Sequence, residues 1–492
     1  MRNPQEKLIE CMQSLCILCA LCAAIATIAP AQTVIHRFSG TNGEDPWPAP
    51  FEGFDTALYG TTSAGGAYQN GTIYKLGPEG KQIWVYSFCA TSGCPDGSSP
   101  LAGITLGFDG LLYGTTWLGG AYSGGTVFTI HTNGTQLVTL HSFCQLTNCD
   151  DGTQPTNTMV SANNGAGFEY TFGTTAYGGG SGNGTIFVAA KNYWDRLYNF
   201  CSLPNCADGQ FPEGPLIQSS DPSGSLYGTT QNGGAYGFGT VFAFYAPALG
   251  DLTTIYSFCQ SSGCPDGGQP SSGVIQGADG NFYGVALHGV TSTGAAGDGV
   301  VFQLTPQGVL NVLHTFSGED GNGPTGLIQA TDGNLYGMTE TGGAHNRGTI
   351  FEVTTGGTFT KLYDFANYGQ PHGGLMQKTD GNLYGAASVG GSTSELVAHG
   401  VIFRYDTGLS PFVKLLPVVG SDNDLTKTFI YGPNLTGATA VLFNGVPSTD
   451  FDVVSSTLIR SSVPVGATTG PVTVVTPSGT LTSNVAFSIL GP

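Results

Sequence analysis

The segment Leu58-Tyr59-Gly60-Thr61-Thr62 is repeated unchanged at residues 112–116, and its aromatic-glycine step occurs seven times along the chain. Consecutive steps are 48 to 59 residues apart. Two other landmarks keep the same order in every copy: a Gly-(Thr/Val)-(Ile/Val)-(Phe/Tyr) segment, first at Gly71, and a strand ending in Phe, first at Phe38. A period near 50 residues is typical of propellers and other repeat arrays. The aromatic residues of the seven steps are Tyr59, Tyr113, Phe172, Tyr227, Tyr283, Tyr336 and Tyr384.

Each repeat predicts four antiparallel strands, named A to D in chain order. In the fifth repeat these are residues 273–276, 282–284, 299–304 and 309–316, with a hairpin turn at Asp279-Gly280. Four-stranded units stacked radially bury faces that one unit alone leaves exposed. The sequence therefore predicts an all-β fold with a seven-bladed β-propeller at residues 32–410.

Two terminal strands compete to complete the last blade. A lone D-type strand at residues 34–38 precedes the first A strand, and a second candidate lies at residues 411–416. The N-terminal strand is favoured because it would pair with the C strand at 400–405 and lock the ring.

Residues 411–492 have a different pattern, with short β-rich segments at 428–432, 440–445 and 471–475 between turn residues. About 80 residues of this kind fit a compact sandwich, so a C-terminal immunoglobulin-like β-sandwich is predicted.

Two resemblances support this division. The repeats, with Leu-Tyr-Gly-Thr-Thr at 58–62, Gly-Gly-Ala-Tyr at 65–68, 119–122 and 233–236, and Gly-Thr-Val-Phe at 125–128, resemble the GloVer tandem-repeat family of exported bacterial proteins. The tail, with Asn-Leu-Thr-Gly-Ala-Thr at 434–439 and Gly-Pro-Val-Thr-Val at 470–474, resembles the IPT/TIG immunoglobulin-like domain, although Asp422 and Asp424 replace its usual Gly-rich turn. The GloVer resemblance implies export and repeat architecture, and carries over no catalytic residues.

Residues 1–31 are predicted to be a signal peptide. Arg2 and Lys7 precede an apolar stretch at 15–28, and Ala29-Pro30-Ala31 provides a cleavage site before Gln32. A membrane anchor is the alternative, but the apolar run is shorter than the ~20 residues usual for a span. We therefore expect an exported protein, extracellular or at the cell surface, with no transmembrane segment in the mature chain.

The net negative charge of the chain disfavours one class of partner, nucleic acid. The formal net charge is −19, and lysine and arginine are scarce and unclustered. A phosphate backbone would be repelled, so nucleic acid is not an expected partner.

Eight cysteines outside the signal peptide form four pairs with the same spacing, each directly after the Phe that ends strand D. The pairs are Cys89 with Cys94, Cys144 with Cys149, Cys201 with Cys206 and Cys259 with Cys264. In an exported protein disulfides are the expected chemistry. Zinc is disfavoured because structural sites prefer tighter spacing, and pairs on separate blades are too distant to share a metal.

Other polar landmarks favour structural roles. The recurring Asp-Gly-x-x-Pro motif, as at Asp96, could form a ring of Ca²⁺ ligands, but Asn367 replaces the Asp once, which favours an Asx turn. His36, His141 and His314 occupy a strand-D position that is Tyr in other repeats, which favours packing. The A strands carry neutral Gln218, Gln276, Gln329 and Gln377, which suit hydrogen bonds between blades. We predict no catalytic, cofactor-binding or metal-binding residues.

The long B–C loops and the cysteine-bearing D–A loops emerge on one face, which is the candidate ligand-binding face. Its candidate contact residues are Tyr68, Trp117, Tyr122, Tyr177, Tyr236 and His345. Aromatic-lined clefts suit glycans and small molecules, while the same rings could simply pack neighbouring loops. The favoured hypothesis is a non-catalytic binding or scaffold protein that recognises a glycan or a surface protein. The alternative is a secreted carbohydrate-active enzyme, a lyase or glycosidase built on a propeller.

Overall fold

The computed structural model describes residues 32–163, 169–219, 224–245, 250–287, 297–388, 399–421 and 427–489. The predicted signal peptide lies outside the described residues. Within them the fold is all-β, and helix is limited to two 3-10 turns, Thr147–Cys149 and Pro204–Cys206. None of the described helices has the length and apolarity that a membrane crossing requires.

The repeats form four-stranded antiparallel sheets, numbered here 1 to 7. The N-terminal strand β1 (Gln32–Arg37) precedes sheet 1, whose strands are β2 (Phe51–Glu52), β3 (Leu58–Thr62), β4 (Thr72–Leu76) and β5 (Gln82–Ser87). Sheet 2 comprises β6 (Thr105–Leu106), β7 (Leu111–Thr116), β8 (Thr126–His131) and β9 (Val138–Ser142). Sheet 3 comprises β10 (Val160–Asn163), β11 (Glu169–Thr175), β12 (Thr185–Ala190) and β13 (Tyr193–Asn199). Sheet 4 comprises β14 (Ile217–Gln218), β15 (Leu226–Thr230), β16 (Thr240–Tyr245) and β17 (Asp251–Ser257).

The remaining repeat sheets follow the same order. Sheet 5 comprises β18 (Ile275–Gln276), β19 (Phe282–Ala286), β20 (Val300–Leu304) and β21 (Leu310–Thr315). Sheet 6 comprises β22 (Asn322–Gln329), β23 (Leu335–Thr341), β24 (Thr349–Val353) and β25 (Phe359–Asp364). Sheet 7 comprises β26 (Met376–Gln377), β27 (Leu383–Ala387), β28 (Val401–Tyr405) and the N-terminal β1.

The N-terminal strand thus completes the last sheet of the repeat region. β1 pairs antiparallel with β28, with Val34 opposite Phe403. The rival segment at 411–416 contributes a strand, β29 (Lys414–Leu416), to a sheet of the tail. Closure by the N-terminal strand, which the sequence favoured, is confirmed.

The core lies between neighbouring sheets. Tyr59 and Phe88 of sheet 1 share a buried cluster with Phe128 of sheet 2, and similar clusters join each later sheet to the next. Another cluster joins Tyr384 of sheet 7 to Tyr74 of sheet 1. The apolar contacts therefore run through consecutive sheets and return to the first.

Two sequence landmarks hold one another in place. Each strand-C glycine has a positive φ, +91° at Gly71, and a Cβ there would lie 2.5 Å from the Cδ of Pro100 in the following D–A loop. The same glycine–proline contact occurs in every repeat and ends with Gly400 against Pro46. Glycine is needed at these positions both for the backbone conformation and for the close approach of proline.

The tail forms two sheets that share one apolar core. Sheet 8 contains β29, β31 (Lys427–Tyr431), β35 (Leu458–Ser462) and β34 (Phe451–Ser455). Sheet 9 contains β30 (Val419–Gly420), β37 (Gly479–Ile489), β36 (Gly470–Thr476), β32 (Ala440–Phe443) and β33 (Val446–Pro447). Ile430 and Ile459 of sheet 8 and Val441 and Val474 of sheet 9 are fully buried in this core.

The tail packs against the A–B end of the repeats. The Phe54 ring lies 5.0 Å from the ring of Phe429 and 5.2 Å from that of Tyr431. The Lys414 Nζ lies 3.0 Å from Oε2 of Glu52, whose side chain is fully buried. These contacts join the first repeat to the tail.

Candidate ligand-binding site

A cavity of about 550 Å³ lies among the loops that lead into the A strands, and all seven D–A loops contribute to its wall. In each loop, the residue that follows the recurring proline lines the cavity. These residues, called the wall positions here, are Trp47, Leu101, Thr156, Glu213, Ser271, Thr325 and His372. The glycine–proline contact repeats in every loop while the next side chain differs in chemistry. The repeats therefore present varied side chains from a constant scaffold.

One side of the cavity is aromatic. The Trp47 ring stacks on His372 with centroids 4.4 Å apart, and Trp47 Nε1 donates a hydrogen bond to Asp45 Oδ2 at 3.0 Å. Trp117 and Tyr177, both from B–C loops, also line the cavity. The hydrogen bond and the stacking fix the orientation of the Trp47 indole, so its aromatic surface is preorganised.

The wall also has polar residues, one of which is a carboxylic acid. Burial raises the pKa of Glu213 above its ordinary value. No residue in the described part of the chain forms a hydrogen bond or an ion pair with this carboxylate. The buried Thr156 Oγ1 also lacks a hydrogen-bond partner among the described residues. Unsatisfied buried polar atoms are uncommon, and here one of them lines the same cavity as a half-buried carboxylate without a partner.

His372 also contacts a hydroxyl and a second carboxylate. Its Nε2 lies 3.1 Å from Ser388 Oγ, and its Nδ1 lies 3.5 Å from Glu340 Oε1. This order resembles a nucleophile, base and acid. However, the carbonyl of Gln370 also lies 3.0 Å from the Ser388 hydroxyl and competes with His372 for its single proton. The arrangement holds the imidazole in the wall.

A second cavity of about 340 Å³ lies further along the A strands. Its wall shares Thr158 and Pro215 with the first cavity, and it also includes Leu416 and Tyr431 of the tail. The tail therefore forms part of the wall at the end away from the D–A loops.

A family model described as the Gloeobacter/Verrucomicrobia repeat matches residues 23–202, 146–294 and 264–428. The chain belongs to this repeat family. The match confirms the resemblance that the repeat landmarks predicted, and the three matches show the tandem arrangement directly. A search of curated proteins finds no match.

Several solved structures match this member of the Gloeobacter/Verrucomicrobia repeat family, with TM-scores below 0.5. A fungal alcohol oxidase of the AA5 family, in complex with copper, is 13% identical with a TM-score of 0.48, covering 94% of this chain and 99% of that one. A gluconolactonase from Xanthomonas campestris is also 13% identical, with a TM-score of 0.37 and coverages of 65% and 90%. Identities this low do not transfer an activity to this chain.

In this repeat protein the structure separates the six predicted contact residues into two groups. Trp117 and Tyr177 line the cavity. The other four lie outside the cavity wall, in B–C loops whose backbone is tied to the outer strands. For example, the Ala67 amide donates to Ser87 Oγ at 3.1 Å, beside the exposed Tyr68. The four residues are Tyr68, Tyr122, Tyr236 and His345.

Sequence reasoning missed Trp47, Glu213 and His372. A signal for them was present, because each follows the proline of the repeat and the three differ in type. Comparing that single position across all the repeats would have identified them as variable residues on a constant loop.

The recurring aspartates have structural partners. Asp96 Oδ2 accepts from the Tyr86 hydroxyl at 2.8 Å and from the Cys89 amide at 3.1 Å, and Asp151 bonds His141 at 2.9 Å. These carboxylates thus accept hydrogen bonds from residues of the preceding strand and loop. In the predicted Asx turn they would instead accept from the backbone just after the aspartate. Among the described residues no group of three potential ligands could hold a metal ion.

The four predicted cysteine pairs lie at disulfide-bonding distance, with Cα atoms 3.9 to 4.2 Å apart. Each pair staples one D–A loop to itself, and four such pairs indicate folding in an oxidising environment. The structure pairs Cys89 with Cys94, Cys144 with Cys149, Cys201 with Cys206 and Cys259 with Cys264.

The four stapled loops differ in conformation, although their cysteine spacing is the same. Cys149 and Cys206 each end a 3-10 turn. In the other two loops, Cys94 and Cys264 follow a turn that contains a glycine with a φ of +84° or +85°, where the 3-10 turns have an asparagine with a φ of +57°. The residue before the second cysteine, glycine or asparagine, therefore distinguishes the two forms, because both residue types tolerate a positive φ.

The cysteines lie away from the cavity wall, although the sequence placed them on the candidate ligand-binding face. In the described chain, both members of every pair are absent from that wall, including the buried Cys264 and the half-buried Cys94. The reason is the order of the loop, since the disulfide precedes the recurring proline and the wall position follows it. The disulfides thus hold the outer part of each loop and do not line the cavity.

Proposed function

We propose that this protein is an exported, non-catalytic binding protein that holds a glycan in the cavity among its D–A loops. In the proposed architecture, a signal peptide at 1–31 precedes a seven-bladed β-propeller at 32–410 and an IPT/TIG-like immunoglobulin-like sandwich at 411–492. The apolar clusters that run from sheet to sheet and back to sheet 1 support the propeller. The core shared by sheets 8 and 9 supports the sandwich.

The wall positions carry the proposal. Trp47 and Trp117 offer flat apolar surfaces of the kind on which sugar rings stack, while Thr156, Ser271 and Thr325 offer hydroxyl groups. A cavity of about 550 Å³ is within the size range of ligand pockets. A wall of aromatic and neutral polar groups suits a carbohydrate better than an anion.

Binding is favoured over glycoside hydrolysis by the number of carboxylates. Glycosidases use two carboxyl groups roughly 5 to 10 Å apart. Among the described residues that line the cavity, Glu213 is the single carboxylic acid. The nearby Glu340 lies outside the wall and is 46% exposed. The secreted lyase or glycosidase therefore has less support than the binding protein.

The cysteine pairs and the net charge support the proposed location and partner class. The four cysteine pairs support export to an oxidising compartment, outside the cell or at its surface. The net charge of −19 disfavours nucleic acid. A glycan of the cell surface or of the surroundings is the proposed ligand, and a surface protein is the other partner class.

A glycan array probed with the mature chain, residues 32–492, tests the proposal, followed by calorimetric titration of the best ligand. We expect Trp117→Ala with Tyr177→Ala to cost about 2 kcal/mol of binding free energy, roughly 30-fold in Kd, because two aromatic contacts are lost. The matched control is Tyr122→Ala with Tyr236→Ala, which removes two aromatic rings of the same face from outside the cavity. Absence of glycan binding, or equal weakening by the control, would contradict the proposal.

A further inference from the structure

The wall of the cavity contains a carboxylic acid, Glu213, but no lysine or arginine of the described chain. The titratable side chains of the wall are Tyr177, Glu213 and His372, and His372 already contacts Ser388 and Glu340. A half-buried carboxylate without a cation loses solvation energy and gains nothing from the protein in return.

Elsewhere in the chain, buried carboxylates have partners. Glu52 is fully buried and contacts two lysines, and Asp151, 1% exposed, bonds His141. Asp208 is fully buried and accepts from the Tyr198 hydroxyl at 2.8 Å. Glu213 is only half-buried, but it has no such partner among the described residues, and it lies at the cavity. Its missing partner can therefore come from a ligand.

The aromatic wall supports a positive partner. Trp47 and Trp117 present indole rings to the cavity, and indole faces attract ammonium groups as well as sugar rings. A net charge of −19 further raises the local concentration of cations and repels acidic sugars.

We infer that the cavity selects glycans that carry a protonated amine, with Glu213 as the anionic partner of the amine and Thr156 as a hydrogen-bonding partner of the same ligand. This inference rests on the proposed glycan-binding function. A neutral sugar would meet the carboxylate with hydroxyl groups alone, and a uronic acid would place a second negative charge beside it.

The same geometry predicts a dependence on pH. Because burial raises the pKa of Glu213, its charge is lost on acidification at a higher pH than for an exposed glutamate. Binding of an amine should weaken as the pH falls through that region. A Glu213→Gln variant should not show this dependence on pH.

The test uses the mature chain on an array that carries amino sugars, their N-acetylated counterparts and uronic acids in the same linkages. After a first reading, the array is treated with acetic anhydride, which converts each amine to a neutral amide in place. We expect the bound glycans to carry free amines and to lose their signal after acetylation.

Solution titration of the best amino-sugar ligand then compares Glu213→Gln with Glu79→Gln, which removes one negative charge at an exposed turn between β4 and β5. We expect about a tenfold or greater loss of affinity for Glu213→Gln, since a hydrogen bond to a charged group is lost. The Glu79→Gln variant should bind as the parent protein does.

The outcomes distinguish the two proposals. Binding to neutral glycans that survives acetylation, or an amine preference that Glu213→Gln leaves intact, overturns the inference and leaves the binding function standing. Absence of binding to every glycan overturns the proposed function and this inference together.

Discussion

Replacing Lys414 by Met tests whether the tail stabilises the repeat region through a buried charge. The Lys414 ammonium lies 3.0 Å from Oε2 of Glu52, a residue of the first A strand. The Glu52 side chain is fully buried, while that of Lys414 is 17% exposed. Methionine keeps the length of the side chain and removes its charge, so the variant isolates the ionic contribution.

The magnitude follows from the partners that remain. Breaking a buried ion pair costs about 3 to 5 kcal/mol when the other charge is left alone. Here Lys378 Nζ stays 3.4 Å from Glu52 Oε1, and the Thr379 amide donates to Oε2 at 2.9 Å. We therefore expect Lys414→Met to lower the free energy of unfolding by about 2 kcal/mol.

A second variant separates charge from packing. At the corresponding position of sheet 7, Gln377 Oε1 accepts from the Thr331 amide at 3.1 Å, as Glu52 accepts from Thr379. Glutamine at position 52 can keep that bond without a charge. The double variant Glu52→Gln with Lys414→Met should therefore recover most of the stability that Lys414→Met loses.

Urea titration of the full mature chain, followed by tryptophan fluorescence, is the assay. All four tryptophans lie in the repeats, at positions 47, 84, 117 and 194, so the signal follows the repeat region. Lys427→Met is the control, because Lys427 pairs with Asp450 and Asp452 on the exposed surface of the tail and should not move the midpoint. If Lys414→Met is as mild as this control, the tail does not stabilise the repeats through Glu52.

Three further predictions concern the cavity, the scaffold and the ring. Glu213→Gln should raise the melting temperature near pH 7 but not near pH 4. Because burial raises the pKa of Glu213, its ionised form destabilises the folded state, whereas in acid the carboxyl group is protonated in both the folded and the unfolded state. An equal effect at the two pH values would contradict this prediction. Gly71→Ala should cost more than about 2 kcal/mol, because it combines backbone strain with a clash against Pro100, whereas Gly93→Ala, with a positive φ and open space, should cost about 1 kcal/mol in the same denaturation experiment. Deleting residues 32–40 should sharply lower the thermal midpoint measured by calorimetry, because sheet 7 loses β1 and the buried Phe38; an unchanged midpoint would show that β1 is dispensable.

The repeat architecture could be predicted because its determinants are local. The tyrosine and glycine of strand B, the glycine that starts strand C and the phenylalanine that ends strand D each recur at nearly fixed spacing. In the fifth repeat the predicted strands at 273–276 and 299–304 correspond to Ile275–Gln276 and Val300–Leu304. Gln329 and Gln377 also have the expected role: for example, Gln329 Oε1 accepts from the Ala278 amide of the preceding sheet at 2.8 Å.

The contact between Glu52 and Lys414 could not be predicted, because 362 residues separate the pair and neither belongs to a motif. Glu52 occupies the A-strand position that is glutamine in four other repeats, so its charge was an anomaly that the sequence alone could not interpret. The cavity was missed for another reason. The sequence pointed to aromatic residues of the longest loops. The wall is instead built from short segments beside proline, which come together because sheet 7 packs against sheet 1.

The contacts of the tail connect stability with the binding site. Lys414 lies two residues before Leu416, and Leu416 and Tyr431 both line the second cavity. Tyr431 in turn packs on Phe54, in the turn that follows Glu52. Loss of the tail would therefore remove the lysine from a buried carboxylate and also part of the wall below the ligand cavity. The wall positions, by contrast, vary without touching the glycine–proline contacts that hold the loops. Under the proposed binding function, ligand preference can thus change through single side chains while the tail and the scaffold keep the cavity in shape.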